Sequence, residues 1–336
     1  MSAPLRLASL PGNRGPYSLL KPTRLTPLPP GVIIRREKPH LELAAENVDA
    51  FLSVLSPVSG LGSKQPFRQL IYRGQRDASW RLVPKSRREF RTSLWAHLRS
   101  YEADTLMLRL IKEAEDLLMF CRIADRRGLL VPNVMRLQWD LRERIGEFAM
   151  GDPGAVATWP PIEAVPAMAL AQHCGLPTCL LDFTWNPYVA AYFAARDVMD
   201  LDTLPAEDDL LCVWVVDDEN LTLNHSSRNH EVELIVPPAS DNRTLQAQEG
   251  LFVWSPIRME SKLTNEYTLD PTLDDMLTVP NSKCLVIKVL LKASEAPMLL
   301  HKLIRLGYDS ARLFPTYEGA VRSVREYAWA RIGRGR

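Results

Sequence analysis

The chain has 336 residues, of which 46% are hydrophobic and 24% are charged, values typical of folded globular proteins. Its formal net charge of +1 gives no overall field that would attract DNA, RNA or an anionic membrane. The five cysteines are scattered and never spaced as CxxC, which argues against disulfides and zinc and favours small apolar core residues. No signal peptide and no apolar run of ~18 residues is visible, so we expect a cytoplasmic protein without a membrane contact.

Residues 1–40 differ in composition from the rest of the chain. They contain eight of the 26 prolines and seven basic residues, against a single acidic residue, Glu37. Proline disfavours both helices and sheet ladders, so we expect an extended arm here and a folded domain over 41–336. The basic arm could contact a nucleic acid or an acidic partner, but a solvated tail is the simpler interpretation.

The first half of the domain reads as a helix, a strand and a helical region. A short helix is predicted at 46–56, and the alternation of residues 67–72 indicates a strand. Apolar residues at three- and four-residue spacing then predict amphipathic helices around 107–121 and 133–149. These two helices form a helical insertion at about 93–160.

The second half alternates helices and strands. A helix starts at Pro160 and runs to Cys174, where Gly175 ends it, and a buried strand follows at 178–183. Asn186 and Pro187 read as an N-cap and first position of the next helix. Further strands are expected at 210–216, 231–236, 251–254 and 284–291, and helices at 295–306 and 318–332. The fold class is therefore α+β, with a mixed or antiparallel sheet at its core.

The first candidate motif is Tyr72-Arg73-Gly74-Gln75, followed by Trp80. Eight basic residues and only two acidic ones lie between positions 68 and 91. An arginine at a strand end, beside a glycine that lets a ligand approach the backbone, suits phosphate or carboxylate recognition. Alternatively, Arg73 pairs with a buried carboxylate such as Asp182.

The second candidate motif runs from Gln172 to Phe193. Its polar residues cluster at the C-terminal end of a short strand, where α/β proteins tend to open a ligand crevice. Asp182 and Thr184 lie two positions apart, so on a strand they share one face. His173 can donate, accept or titrate near neutral pH, although a structural histidine at a helix end is the commoner case.

Together these segments resemble the FRG domain, a family named for an aromatic-Arg-Gly motif. The matching residues are Tyr72-Arg73-Gly74-Gln75, Trp80, Leu82, Pro84, Gln172-His173, Gly175-Leu176-Pro177-Thr178, Leu180-Leu181-Asp182-Phe183-Thr184, Asn186-Pro187, Ala190, Gln248, Gly250, Phe252, Leu313-Phe314-Pro315 and Gly319. The resemblance covers roughly residues 66–320. One position departs from the family pattern, because Cys179 stands where the family usually has an arginine.

The motif order also resembles that of ADP-ribosyltransferases, in which an aromatic-Arg-Gly strand, a Ser-Thr-Ser strand and a strand with a catalytic glutamate follow one another. This resemblance implies an ADP-ribosyltransferase-like fold that uses NAD as its substrate, without a metal. The implied catalytic residues are Arg73, Thr184, Gln248, Glu249 and His173. The implied cofactor-binding residues are Tyr72, Arg73, Gly74, Gln75, Asp182, Phe183 and Asn186. The acceptor would be a protein, a nucleic acid or water, and the association of FRG domains with mobile elements suggests a toxin or an antiphage effector.

The chemistry of NAD cleavage explains these roles. Breaking the nicotinamide–ribose bond builds oxocarbenium-like charge on the ribose, which a nearby carboxylate stabilises while an arginine holds the pyrophosphate. Gln248 and Glu249 enter a predicted strand, so only one of them can face the site. Glu233, Glu260 and Glu318 are the other candidate acids.

Two other functions fit the sequence. A basic pocket without a catalytic acid would make the protein a non-catalytic module that binds a nucleotide or a phosphorylated partner. A metal-assisted hydrolase or nuclease could use His173, Asp182 and Asp217 or Asp218, although no HxH, HExxH or DxD spacing supports it. No GxSxG, GxGxxG or GxxxxGK[ST] motif occurs.

Overall fold

The computed structural model of the chain describes residues 28–36, 39–58, 61, 70–88, 106–150, 159–200, 205–217, 221, 232–236, 243–255, 272–278 and 284–332. The strands in these ranges are β1 (Val32–Arg36), β2 (Leu41–Ala45), β3 (Leu70–Gln75), β4 (Leu181–Thr184), β5 (Leu210–Asp217), β6 (Glu233–Ile235), β7 (Gly250–Trp254) and β8 (Val286–Lys292). The helices are α1 (Val48–Leu55), α2 (Leu106–Arg126), α3 (Val134–Met150), α4 (Val165–His173), α5 (Pro187–Met199), α6 (Arg243–Ala247), α7 (Leu273–Leu277), α8 (Ala296–Arg305), α9 (Ser310–Leu313) and α10 (Tyr317–Ile332).

All eight strands join one sheet in the order β1-β2-β8-β5-β3-β4-β7-β6. Strands β2 and β8 run parallel, and every other neighbouring pair is antiparallel. The prediction of an α+β fold with a mixed sheet is therefore confirmed. The early strand β2 and the late strand β8 are neighbours, so the sheet joins segments that are far apart along the chain.

The described residues form three apolar clusters around this sheet. Helices α1, α5 and α8 pack with residues such as Tyr72 and Val213 in the first cluster. Helices α2, α3 and α4 pack with Phe252 in the second, and the third contains Trp214 and helix α7. Tyr72 lies opposite Thr184 in the sheet, which places the first two clusters on the same face and the third on the other.

Helix α5 crosses β3 at Gly74. A Cβ atom at this position would lie 1.9 Å from the main-chain oxygen of Ala190 and 2.9 Å from the main-chain nitrogen of Ala194. Any side chain larger than hydrogen would therefore push the helix off the strand. The close approach next to Arg73 is made by the protein's own helix, which corrects the prediction that Gly74 admits a ligand to the backbone.

Helix ends follow the local sequence signals. The Asn186 side chain accepts from the main-chain nitrogen of Tyr188 at 3.0 Å, and Pro187 occupies the first turn, as predicted. Asn47 caps α1 in the same way, by accepting from the nitrogen of Ala50 at 2.9 Å. Gly175, with φ of +102°, follows the end of α4.

Most predicted elements occur, with shifts at their ends. The strand expected at 178–183 is shorter and begins at Leu181. Strand β3 extends through Gln75, so Arg73 lies within the strand and is not at its end. Residues 1–27 of the predicted arm lie outside the described residues, whereas residues 32–36 pair with β2 at the edge of the sheet. Among the described residues, no helix combines the length and apolar character needed to cross a bilayer.

The cysteines largely follow the core interpretation. Cys121, Cys179 and Cys212 are buried, Cys284 is half-buried and Cys174 is exposed after α4. Burial raises the pKa of the Cys121 thiol to about 11 and that of Cys212 to about 12. These buried thiols are therefore protonated and unreactive at neutral pH.

Candidate functional site

Arg73 lies where two neighbouring strands diverge. Strand β3 pairs with β5 along all six of its residues, but with β4 at Tyr72 and Thr184 alone. Beyond this pair, Nη1 of Arg73 donates to the main-chain oxygen of Asp182 at 2.7 Å and lies 3.7 Å from its Oδ2. The Arg73 side chain is only 16% exposed, and its buried Nε has no hydrogen-bond partner among the described residues. The Arg73 guanidinium therefore binds main chain of β4 that β3 does not pair with, while its Nε is left without a partner among the described residues.

Asp182 is held by the second motif. Its carboxylate is exposed, and Oδ1 accepts from Nε2 of Gln172 at 2.6 Å. Oε1 of Gln172 in turn accepts from the hydroxyl of Thr178, whose Oγ1 also accepts from the main-chain nitrogen of Leu180 at 3.2 Å. Gln172 and Thr178 therefore fix the direction in which the Asp182 carboxylate points.

Arg88 adds a second positive charge beside Arg73. Its Nε donates to the main-chain oxygen of Val83 at 2.9 Å, which fixes the side chain at the end of a short loop. The protein around the guanidinium lowers the pKa of Arg88, and the positive charge of Arg73 lowers it further, while Asp182 opposes both effects. One exposed carboxylate thus contacts the Arg73 guanidinium and only partly offsets the charge of the two arginines, an arrangement that attracts an anion. We call Arg73, Arg88, Asp182 and Gln172 the arginine cluster.

A second polar group lies at the other end of β4. The Thr184 hydroxyl donates to the main-chain oxygen of Gln248 at 2.7 Å and accepts from the nitrogen of Asn186 at 3.0 Å. Nδ2 of Asn186 donates to Oε1 of Glu249 at 2.8 Å and to the hydroxyl of Tyr308 at 3.1 Å. Thr184 thus ties the start of α5 to the turn before β7. We call Thr184, Asn186, Gln248 and Glu249 the glutamate cluster.

Glu249 lies in a turn and not in a strand. Strand β7 begins at Gly250, and Glu249 has a left-handed φ of +48°. The expectation that strand alternation decides between Gln248 and Glu249 is therefore wrong, because neither residue is in the strand. Nε2 of Gln248 donates to the main-chain oxygen of Leu313 at 3.2 Å, whereas the exposed Glu249 carboxylate meets Asn186. Glu249 is the acid that the glutamate cluster presents to solvent.

Three of the predicted cofactor-binding side chains lie in the core. Tyr72 is buried in the first apolar cluster, where burial raises its pKa to about 12. Gln75 is 3% exposed, and its Oε1 accepts from Nε1 of Trp214 at 2.8 Å. Phe183 is buried in the third apolar cluster. These positions correct the expectation of direct contact, because such side chains support the strands that carry Arg73 and Thr184.

The two clusters are neighbours on β4, and no hydrogen bond or ion pair among the described residues joins their side chains. Asp182 and Thr184 lie two residues apart on β4, which separates their backbones by about 7 Å. His173 is exposed at the end of α4, and no hydrogen bond within the described ranges joins it to either cluster. The described residues contain no group of three or more His, Cys, Asp or Glu side chains that could hold a metal ion. Asp217 is fully buried on β5.

A sequence model of the FRG domain matches residues 68–203. The chain contains an FRG domain. The match spans the whole arginine cluster together with Thr184 and Asn186, and it ends before Gln248 and Glu249. No curated protein and no solved structure matches the chain.

In this FRG domain, Glu113 on α2 contacts segments that adjoin the arginine cluster. Glu113, buried on α2, accepts from the main-chain nitrogen of Cys179 and from Nε1 of Trp159 at 3.1 Å. Its Oε2 also lies 3.4 Å from Nη1 of Arg87, the residue before Arg88. A guanidinium therefore lies close to Cys179, the position at which this chain departs from the family pattern.

Sequence reasoning missed Arg88, Glu113 and Tyr308. Arg88 was one of eight basic residues between 68 and 91, and nothing in that run distinguishes it from the others. Glu113 lies among apolar helix positions, where a buried acid breaks the pattern and was the one available signal. No sequence signal marks Tyr308, because its contact with Asn186 joins residues 122 positions apart.

Proposed function

We propose that this FRG-domain protein binds NAD and breaks its nicotinamide–ribose bond, as an ADP-ribosyltransferase-like enzyme. One observation supports the proposal above all others: the three motifs lie on adjacent strands. Arg73 is on β3, Thr184 on β4, and Glu249 directly before β7, with β4 between the other two strands. The three motifs therefore follow the same order across the sheet as they do along the chain.

The arginine cluster is suited to the pyrophosphate. Arg73 offers a buried Nε that has no partner in the described residues, and Arg88 adds a second guanidinium beside it. Guanidinium groups bind phosphate oxygens through charge-assisted hydrogen bonds, which are about twice as strong as neutral ones. Because the hydrogen bonds of Gln172 and Asp182 already hold the side chains of Arg73 and Asp182 in place, little side-chain freedom is lost on binding.

The glutamate cluster is suited to the ribose. As the bond between the ribose C1′ and the nicotinamide nitrogen breaks, nicotinamide leaves with the electron pair and positive charge develops on the ribose. The Glu249 carboxylate, oriented by Asn186, stabilises that charge. It then accepts the proton of the nucleophile that bonds to C1′, which is water or a hydroxyl, amine or other group of a protein or nucleic acid. An enzyme that consumes NAD in this way fits the role of a toxin or antiphage effector.

The test is release of nicotinamide from NAD by the purified chain, with and without cell extract as a source of acceptor. Glu249→Gln keeps the hydrogen-bonding shape and removes the charge, so we expect at least about a hundredfold lower kcat, in line with loss of a charge-stabilising group. Arg73→Ala should raise KM and lower kcat together. Glu163→Gln, an exposed acid before α4, is the matched control and should leave both unchanged.

No release by the folded wild type under any of these conditions would reject the proposal. Release that survives in Glu249→Gln would reject Glu249 as the catalytic acid, and Glu318→Gln and Glu233→Gln would then be tested. Each variant is compared with the wild type by circular dichroism, so that loss of activity is separated from loss of fold.

A non-catalytic binding module is the second candidate. It is favoured by the arginine cluster itself, which needs no acid in order to hold a nucleotide or a phosphorylated partner. It predicts that NAD or ADP-ribose binds, depends on Arg73, and is recovered unchanged after long incubation. Calorimetry followed by chromatography of the ligand distinguishes the two functions.

A further inference from the structure

Trp80 is an exposed aromatic residue beside the arginine cluster. Its side chain is 36% exposed. The guanidinium carbon of Arg76 lies 4.9 Å from the centre of its ring system, and that of Arg88 lies 6.0 Å away. Arg88 therefore lies beside the indole, and it is near enough to Arg73 for the charge of Arg73 to lower its pKa. None of the roles proposed above for the two clusters uses this indole.

The loop that carries Trp80 is fixed by hydrogen bonds. The main-chain nitrogen of Trp80 donates to the main-chain oxygen of Asp77 at 3.2 Å, and that of Ala78 donates to the oxygen of Leu210 on β5 at 2.7 Å. Nζ of Lys288, which is buried on β8, donates to the main-chain oxygen of Ala78 at 2.7 Å. The loop is thus anchored to two strands, and the exposed indole is held in a defined position.

An exposed indole next to paired arginines has the composition of a base-binding surface. Aromatic rings stack on the flat face of a nucleobase, and arginine side chains add cation–π contacts and bind phosphate. A fully buried indole would contribute only to the core, whereas Trp80 leaves about a third of its surface exposed to solvent. Its position gives a stacking surface at one side of the anion site.

We infer that Trp80 stacks against the purine base of a nucleotide whose diphosphate is held by Arg73 and Arg88. With NAD as the substrate, the ligand class is an adenine dinucleotide or its ADP-ribose part, and Trp80 is a residue that binds its base by stacking. This inference rests on the proposed function in its choice of ligand. It adds a binding surface for the half of NAD that does not react, where binding affinity can be gained without touching the bond that breaks.

The experiment compares the binding of ADP-ribose and inorganic pyrophosphate by calorimetry. The variants are Trp80→Ala, Trp80→Phe and Arg88→Ala, with Trp139→Ala, an exposed tryptophan on α3, as the matched control. We expect Trp80→Ala to weaken ADP-ribose binding about tenfold while pyrophosphate binding changes by less than about twofold, because only the former ligand carries a base. Trp80→Phe should retain most of the affinity, Arg88→Ala should weaken both ligands, and Trp139→Ala neither.

Three outcomes would overturn the inference. One is a Trp80→Ala variant that binds ADP-ribose as tightly as the wild type. Another is a Trp80→Ala variant that loses the same factor of affinity for ADP-ribose and for pyrophosphate, which would mean that Trp80 only holds the arginines in place. The third is a wild-type protein that binds no ADP-ribose. This outcome includes a wild-type protein that binds a single-stranded oligonucleotide through Trp80 instead. The proposed function is judged separately. Cleavage of NAD with an unchanged KM in Trp80→Ala would support the proposed activity and reject the stacking role of Trp80. Binding that depends on the base, without cleavage of NAD, would support the stacking role and reject the proposed activity.

Discussion

Removal of the Glu113 carboxylate should destabilise the protein far more than removal of any surface acid. This carboxylate is 2% exposed, and it accepts hydrogen bonds from Cys179 and Trp159 while lying 3.4 Å from the 9% exposed guanidinium of Arg87. Breaking a buried ion pair by removing one partner costs about 3–5 kcal/mol, because a buried charge loses its compensation. We therefore expect Glu113→Ala to lower the free energy of unfolding by about 4 kcal/mol, and Glu113→Gln, which retains one acceptor, by about half as much.

Urea denaturation followed by tryptophan fluorescence measures this loss. Glu143→Ala, an exposed acid on α3, is the control and should change stability by less than about 0.5 kcal/mol. A double-mutant cycle with Arg87→Met isolates the charge pair, because removing both partners should cost less than the two single changes together. A loss below about 1 kcal/mol in Glu113→Ala, or a coupling free energy near zero, would refute the assignment of the network as a buried and mutually compensating one.

Three further outcomes are expected from the structure. Gly74→Ala should unfold the protein or cost more than about 3 kcal/mol, because the added Cβ would lie 1.9 Å from the oxygen of Ala190. A Cβ added at Gly146 in α3 meets no atom within 4 Å, so Gly146→Ala should raise the free energy of unfolding by up to about 1 kcal/mol in the same urea assay. A Gly74→Ala variant that is more stable than Gly146→Ala would contradict the packing of α5 on β3. Burial lowers the pKa of His40 below 6.5 and a nearby lysine lowers it further, so the unfolded chain binds the proton more tightly and stability should fall as pH drops through about 6.5. His40→Gln should remove this part of the pH dependence. A maleimide should label Cys174 first and Cys174→Ser should lack that fast phase, whereas rapid labelling of several thiols would show that the buried ones are accessible.

The sequence predicted most elements of the fold because their signals are local. Apolar spacing located α2 and α3, and the Asn186-Pro187 pair located the start of α5. Strands β1 and β2 were missed because the prolines upstream dominate the composition of 1–40, while pairing with β8 is a long-range interaction. A strand at the edge of a sheet gains its structure from its partner, and a local pattern cannot show that partner.

The sequence grouped residues that do lie close together in the fold, but it predicted their geometry less well. Arg73 and Asp182 do meet, and Thr184 does connect the second motif to Gln248, as the motif grouping implied. Gly74 was misinterpreted because a sequence shows that a close approach is needed but not whether a ligand or a helix makes it. The sequence also could not show that the site residues separate into an arginine cluster and a glutamate cluster. That separation depends on β3 and β4 sharing a single residue pair.

The pairing of β2 with β8 has a consequence for the protein during its synthesis. Leu41 faces Ile287, and β8 lies between β2 and β5, so each of these two strands lacks one of its two neighbours until residues 286–292 have left the ribosome. Unpaired strand edges tend to associate with other chains, so the nascent protein passes through a stage in which chaperone protection would matter. The strands that carry the two clusters have all been made by residue 254. The sheet that holds them in place is complete only after residue 292 has been translated.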